Sequence, residues 1–338
     1  MDCSYSVIVP CYNAERTLGK VLRHIEALEP PPREILVVDD GSSDGTVGIA
    51  SDRAGVKLIR LEKNLGPAVA RNAGAREAGG EWLLFVDSDS YVPSASFRNG
   101  LSLLAARPEL AGVMGVYSRN SPAGPFAGVY KNYFRHLEIA EMRNPPPEFS
   151  SSCFMIRRST FLEIGGFDEA FERQPTEDNE FYFRLVRRGH TLPYLMAFDF
   201  IHDKKLTARQ MFNEDRQRAT AMLWNLTGRL GERGMTWTLR EKTIWILSII
   251  SGNLVCLGLA LPLLLLAAGL PSSAAWLVWT AAAATFGLLL RTKLAFARRE
   301  RGISFAARLY GLRAFEMVAA VAGCLRGLLP RSMPRKVA

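Results

Sequence analysis

The chain has 338 residues, 48% of them hydrophobic, and a formal net charge of +9. That length buries a full α/β domain and leaves roughly a hundred residues for a second module, while five cysteines without a CxxC pair exclude a disulfide framework and a zinc site. The positive excess gathers beside the most apolar stretches without any aromatic-basic motif, which excludes a nucleic-acid partner.

Met1-Asp2-Cys3-Ser4 leads straight into a strand, with no basic stretch or apolar core of a signal peptide, so the soluble part is expected to stay unexported. Tyr5 to Pro10 reads as that strand. Asn13 can cap the helix that follows, in which Leu18, Val21, Leu22, Ile25 and Leu28 recur at helical spacing until Pro30-Pro31-Pro32 ends it. A second strand at Ile35 to Val38 runs into Asp39-Asp40-Gly41-Ser42-Ser43-Asp44-Gly45-Thr46. Next come a helix from about Thr46, a strand at Val56 to Leu61, and a helix over Pro67 to Ala78 with proline in its first turn. After Gly79-Gly80 the buried run Trp82 to Val86 ends at Asp87-Ser88-Asp89. This βαβαβαβ order predicts an α/β fold with a parallel, doubly wound sheet. Ligands of such sheets collect outside the strands' carboxyl ends, so the two acidic strand ends point to one pocket, and Asp87 with Asp89 suits a divalent metal.

Beyond Asp89 the pattern is less regular. Arg119 to Phe126 and Asn144-Pro145-Pro146-Pro147 read as loops around a helical stretch at Val129 to Glu141. Ser151 to Ile156 reads as a strand, Ser159 to Ile164 as a short helix, Glu177 to Arg188 as a helix stopped by Gly189, and Leu192 to Phe200 as a strand. From Leu206 to Leu230 apolar residues alternate with arginines, as in a helix at a membrane surface or one packed on the preceding domain. Ile244 to Leu270 and Ala274 to Leu290 carry no charged side chain and read as two membrane helices, a buried core hairpin being the other option. Arg240 and Lys242 precede them and Arg291, Lys293, Arg298, Arg299 and Arg301 follow, which sets both outer ends in the cytoplasm. Phe305 to Leu329 is interrupted by Arg308, Arg313, Glu316 and Arg326 and reads as an interfacial helix. The organisation expected is a catalytic domain at 1–205, an amphipathic linker at 206–243, a transmembrane hairpin at 244–290 and a basic C-terminal helix at 291–338. The chain would sit in the plasma membrane with its catalytic domain facing the cytoplasm.

Taken singly, Asp87-Ser88-Asp89 is a weak motif, since a turn after a strand favours these residues anyway. In company it is specific. Val7-Ile8-Val9-Pro10-Cys11-Tyr12-Asn13, Val37-Val38-Asp39-Asp40-Gly41-Ser42-Ser43-Asp44, Ala70-Arg71-Asn72-Ala73-Gly74 and Asp87-Ser88-Asp89 together resemble the nucleotide-sugar domain of family 2 glycosyltransferases with the GT-A fold, over about residues 4 to 205. The resemblance implies a nucleotide-sugar donor, a UDP-sugar by preference, with Pro10 and Tyr12 flanking the base, Asn13 in the same loop, and Asp40 with Asp39 accepting a nucleobase N–H. It implies that Arg71 faces base or diphosphate, that Asp89 ligates Mg²⁺ or Mn²⁺, and that Asp87 holds ribose or a metal-bound water. In Thr176-Glu177-Asp178-Asn179-Glu180 it implies an acidic pair at the acceptor, with Glu177 contributing to the substrate site and Asp178 as catalytic base. His202 is a further metal ligand in some relatives, or here a surface histidine beside Asp203, Lys204 and Lys205. Capping of a turn by Asp39 and Asp40, a solvated face for Arg71 and dipole complementation by Glu177 and Asp178 are the structural alternatives.

The Gln-x-x-Arg-Trp motif of processive synthases is missing, which favours one sugar per encounter. Ser90-Tyr91-Val92 replaces the Asp-Leu-Gln continuation of dolichol-phosphate-mannose-type enzymes, which weakens a bare polyprenyl phosphate as acceptor. The expectation is an inverting transferase acting on a membrane-associated, lipid-linked or glycan acceptor in envelope synthesis, with membrane lipids as neighbours. A polyprenyl-phosphate glycosyltransferase and a non-catalytic nucleotide-sugar binder are the alternatives.

Overall fold

The computed structural model describes residues 4–120, 124–142, 149–171, 177–226 and 290–328, and residues 273, 280, 284, 287 and 288 singly. Apart from those single positions and Leu290, the expected spans at 244–290 lie outside the described residues, as do residues 227–243 of the linker expected at 206–243. The chain divides into two units after Lys205.

The first unit opens with β1 (Tyr5–Cys11), α1 (Leu18–Glu26), β2 (Glu34–Asp39), α2 (Thr46–Ser51), β3 (Val56–Arg60), α3 (Pro67–Glu77) and β4 (Trp82–Val86). β1, β2 and β4 are apolar enough to be buried on both faces, as strands with helices on either side must be, while β3 at the edge of the sheet stays partly exposed. The periodic residues Leu18, Val21, Leu22 and Ile25 of α1 are the ones buried against them. Helix α3 sits tight on the sheet because Gly74 has no side chain: a Cβ there would lie 2.5 Å from Ile8 Cγ2.

These four strands are parallel, β1 lying between β2 and β4 with Cys11 opposite Asp39 and Tyr5 opposite Trp82. The winding therefore reverses at β1. The crevice at the carboxyl ends of β1, β2 and β4 is the topological switch point, where open α/β sheets bind their ligands.

The expectation of a wholly parallel sheet fails beyond β4. After β5 (Ser90–Tyr91) and α4 (Ser94–Ala106) come β6 (Gly112–Tyr117), α5 (Phe126–Glu141), β7 (Cys153–Arg157), α6 (Arg158–Glu163), α7 (Glu177–Arg187) and β8 (Tyr194–His202). They complete an eight-stranded mixed sheet of order β3-β2-β1-β4-β7-β6-β8-β5. β7 runs antiparallel to both β4 and β6, β6 parallel to β8, and β5 antiparallel to β8. Burial reveals a strand in the sequence but not its direction, which follows from the path of the intervening chain.

Three of these elements escaped the sequence reading: the two-residue β5, the strand β6 and the helix α4. Glycines weaken a strand signal, yet β6 needs Gly112 because a Cβ there would run into the Met155 carbonyl of β7. Helix α4 is built from weak formers such as Ser94, Ser96 and Asn99, and Gly100 lets it lie against Phe198. A cluster of rings beneath the site joins the two halves of the sheet to α6 and α7, with Phe85 stacked on Phe154 at 4.6 Å and Phe167 on Phe181 at 4.6 Å. Each such pair contributes roughly 0.5–1.5 kcal/mol beyond its burial.

The second unit contains α8 (Ala208–Leu226), α9 (Arg291–Arg301) and α10 (Ile303–Leu328). α8 packs against α10, where Phe212 meets Phe315 at 5.2 Å and the Thr220 hydroxyl donates to the Gly323 carbonyl at 2.8 Å. Among the described residues no helix is long and apolar enough to cross a membrane. Within α10 the Arg313 guanidinium pairs with Glu316 at 2.6 Å.

Candidate active site

At the switch point Pro10, Tyr12, Asp40, Arg71, Asp87 and Asp89 border a cavity of about 420 Å³. Tyr12 stands on its rim, 50% exposed. An aromatic ring left half in water beside a polar cavity is a surface on which a flat heterocycle can stack.

The loop after β2 is held by carboxylates that accept backbone N–H groups. Asp39 is fully buried and accepts from Ser42 N at 3.2 Å, so it closes its own turn. Asp40 accepts from Leu65 N at 2.7 Å and Gly66 N at 2.8 Å, which pins the entry of α3. Asp44 caps α2 through Thr46 N at 3.0 Å. The expected cap by Asn13 on α1 is corrected: the residue adopts a φ of 50° and its side chain accepts from Ser43 N at 2.9 Å, across to the β2 loop. Helix α1 starts at Thr17 without a side-chain cap.

The loop after β4 behaves differently, because its carboxylates face cations. Arg71, on α3, is buried rather than on a solvated face; its Nη2 donates to Asp87 at 2.8 Å and its Nη1 reaches Glu177 at 3.4 Å. Burial works against the guanidinium charge, but Asp87, Glu177 and Asp178 more than offset it and raise its pKa. Glu177, expected in the substrate site, is a buried partner of Arg71. Burial first, then the Asp178 charge, pushes its carboxyl well above the usual range against the pull of Arg71. One guanidinium thus ties the acidic turn of β4 to the acidic first turn of α7. Asp178, half-buried on that turn, accepts from Asn179 N at 2.8 Å. Thr176, the alternative cap of α7, lies outside the described residues.

Asp89 and His202 meet through the sheet. Ser90 pairs with His202 across β5 and β8, and Asp203 N donates to the Asp89 carbonyl at 2.7 Å, which leaves the Asp89 Oδ1 and His202 Nε2 atoms 3.4 Å apart. Burial opposes the Asp89 charge, but His202 and then Lys204 outweigh it and hold the carboxyl at about 2, so it is ionised at neutral pH. Among the described residues no group of three or more His, Cys, Asp or Glu side chains is placed to hold a metal by itself. Asp89 and His202 offer one oxygen and one nitrogen donor, a set that suits Mn²⁺ better than the oxygen-seeking Mg²⁺ when a ligand supplies the remaining oxygens.

Two further asparagines escaped the sequence reading. Asn72 grips the Phe167 backbone twice, donating to its carbonyl at 2.8 Å and accepting from its N–H at 2.9 Å. It sits in a motif, but its partner is far along the chain. Asn132, on α5, holds His202, and no local pattern marks it.

Residues 6–165 match the family model described as Glycosyl transferase family 2, and residues 131–206 match the one described as N-terminal domain of galactosyltransferase. The chain is 33% identical over 245 residues to poly(ribitol-phosphate) beta-N-acetylglucosaminyltransferase TarS of Staphylococcus aureus, a match covering 64% of this chain and 42% of that protein. It is 25% identical over 218 residues to O-antigen chain rhamnosyltransferase RfbN of Salmonella typhimurium, covering 61% of this chain and 68% of that one. Among solved structures it resembles the mannosyltransferase PcManGT from Pyrobaculum calidifontis in complex with GDP-Man and Mn²⁺, with a TM-score of 0.59 and 20% identity over 96% of this chain and 86% of that chain. At that identity the likeness concerns the fold. The chain spans 64% and 42% of the first two curated relatives it matches, less than two thirds of either.

Proposed function

We infer that this chain, whose residues 6–165 match the Glycosyl transferase family 2 model, is a glycosyltransferase that moves one sugar with inversion from a nucleoside diphosphate sugar to a membrane-associated acceptor, a lipid-linked saccharide of the cell envelope. The observation that carries the reading is the Arg71 bridge between Asp87 and Glu177, since it supports bringing the donor loop and the acidic helix α7 to one cleft. TarS and RfbN, whose names place them on poly(ribitol-phosphate) and O-antigen chains, support the envelope context.

In this reading the base stacks on Tyr12 beside Pro10, and the fixed Asp40 and Asp39 loop shapes the pocket that receives its N–H edge. The diphosphate lies toward Asp89 and His202, which would hold a divalent cation, Mn²⁺ or Mg²⁺, with Asp87 steadied by Arg71 beside it. Bound there, such an ion neutralises charge on the departing nucleoside diphosphate. Asp178 accepts the proton of the acceptor hydroxyl as that oxygen attacks the anomeric carbon from the face opposite the leaving group. Arg71 keeps α7 against the β4 loop, so base and leaving-group site stay a fixed distance apart. The two uncharged runs at 244–290 and their basic flanks support an anchor in the plasma membrane with this cleft on the cytoplasmic side.

The test is a screen of UDP- and GDP-sugars with Mn²⁺ and membrane extract, with identification of the labelled product. Transfer to an extractable glycolipid that stops with EDTA and returns with Mn²⁺ is expected. Labelling that is indifferent to EDTA, or that appears only on bare polyprenyl phosphate, overturns the cation or the acceptor in turn.

A further inference from the structure

Asn132 lies on α5 and is 2% exposed. Its amide meets His202 twice: Nδ2 donates to the His202 carbonyl at 2.7 Å, and Oδ1 stands 3.1 Å from His202 Nδ1. These two contacts determine each other. A carbonyl oxygen can only accept, so the amide nitrogen must face it and the amide oxygen must face the ring. An amide oxygen brings no proton, so Nδ1 supplies one, and whenever the ring is neutral its lone pair is on Nε2. That is the atom opposite Asp89 Oδ1 at 3.4 Å.

The ring has little room to turn. Tyr117 stands edge-on to it, 5.5 Å between centroids at 75°, and the Tyr117 hydroxyl is itself tied to the Ser150 and Ser152 hydroxyls at 2.8 and 3.2 Å. In the neutral ring two electron-pair donors, an imidazole nitrogen and a carboxylate oxygen, are thereby aimed at one another, an arrangement that a divalent cation satisfies in place of the Nε2 proton of the charged ring.

We propose that Asn132 is a positioning residue which fixes His202 in the Nδ1–H tautomer, so that Nε2 and the Asp89 carboxylate are presented together to one divalent cation. The inference rests on the cation reading above and adds its support: an amide on a separate helix that decides which ring nitrogen is free to ligate. Partners of this kind in the outer shell change metal affinity about 10- to 100-fold when removed.

Two measurements on the full chain test it. Histidine-selective ¹⁵N NMR of the metal-free protein, with His202 identified among the four histidines by its loss in His202→Gln, reads the tautomer directly. At a pH high enough for the ring to be neutral, a protonated Nδ1 with unprotonated Nε2 is expected, and the opposite tautomer overturns the proposal without any variant at Asn132. Mn²⁺ titration followed by electron paramagnetic resonance in the presence of UDP then compares wild type, Asn132→Asp, which keeps an acceptor toward Nδ1, and Asn132→Leu, which has none. The expected order of affinity is wild type, Asn132→Asp, Asn132→Leu, with the last about 10- to 100-fold weaker than wild type. Wild-type affinity in a folded Asn132→Leu overturns this inference and leaves the cation reading standing. Absence of Mn²⁺ binding by wild type that still binds UDP overturns the cation reading, and this inference with it.

Discussion

The two acidic strand ends, one after β2 and one after β4, look alike in sequence and do different work. After β2, Asp39, Asp40 and Asp44 accept from backbone amides, Ser42, Leu65, Gly66 and Thr46 among them, and so fix the shape of a loop. After β4, Asp87 faces the Arg71 guanidinium and Asp89 faces the His202 imidazole. Amide partners are neutral and hold geometry; charged partners also set protonation and bind ions. The first loop builds the wall of the cavity and the second concentrates the charge on which chemistry depends.

The sharpest way to break this contrast is Arg71→Met. It leaves a buried Glu177 and a half-buried Asp87 without their shared cation, and removing one partner of a buried pair costs about 3–5 kcal/mol; denaturant unfolding measures it, and a loss under 1 kcal/mol would mean the bridge is incidental. Asp40→Asn probes the other loop with a smaller effect, because it sets an NH₂ group against the N–H of Leu65 or Gly66. About 1–3 kcal/mol of stability should go, together with affinity for UDP, both readable in one calorimetric series.

The smallest effect is a pH dependence carried by Glu177. Its carboxyl titrates higher in the folded than in the unfolded chain, so the folded state binds the extra proton and stability falls as pH rises from the ordinary carboxylate range to about 7. Glu177→Gln removes that dependence. Relative to wild type, its melting temperature should therefore be higher at pH 8 than at pH 5, and a difference that does not change with pH contradicts the burial argument.

What could be read from the sequence tracks local pattern. The apolar runs at β1, β2 and β4, the heptad-like face of α1 and the acidic residues that end two strands are all visible in windows of ten residues or so. The direction of β7, the glycine-bearing strand β6 and the small-residue helix α4 are not, because each is decided by what packs against it. The same holds in the site. Asp87 and Asp89 can be picked out by eye, whereas the pairing of Arg71 with Glu177 and of Asn132 with His202 joins positions brought together only by the folded sheet. Asn13 shows the reverse error: a residue well suited to cap the next helix reaches across to another loop, because its left-handed backbone turns the side chain toward Ser43.

The central claim is that Asp89 serves the donor and its cation while Asp178 serves the acceptor within one cleft. Parallel measurement of Mn²⁺-dependent UDP affinity and of turnover in Asp89→Asn and Asp178→Asn tests it directly. The account predicts that Asp89→Asn loses both, and that Asp178→Asn keeps wild-type UDP affinity while turnover drops about 10²- to 10⁴-fold. Wild-type turnover in Asp178→Asn, or Mn²⁺-dependent UDP binding unchanged in Asp89→Asn, would contradict it.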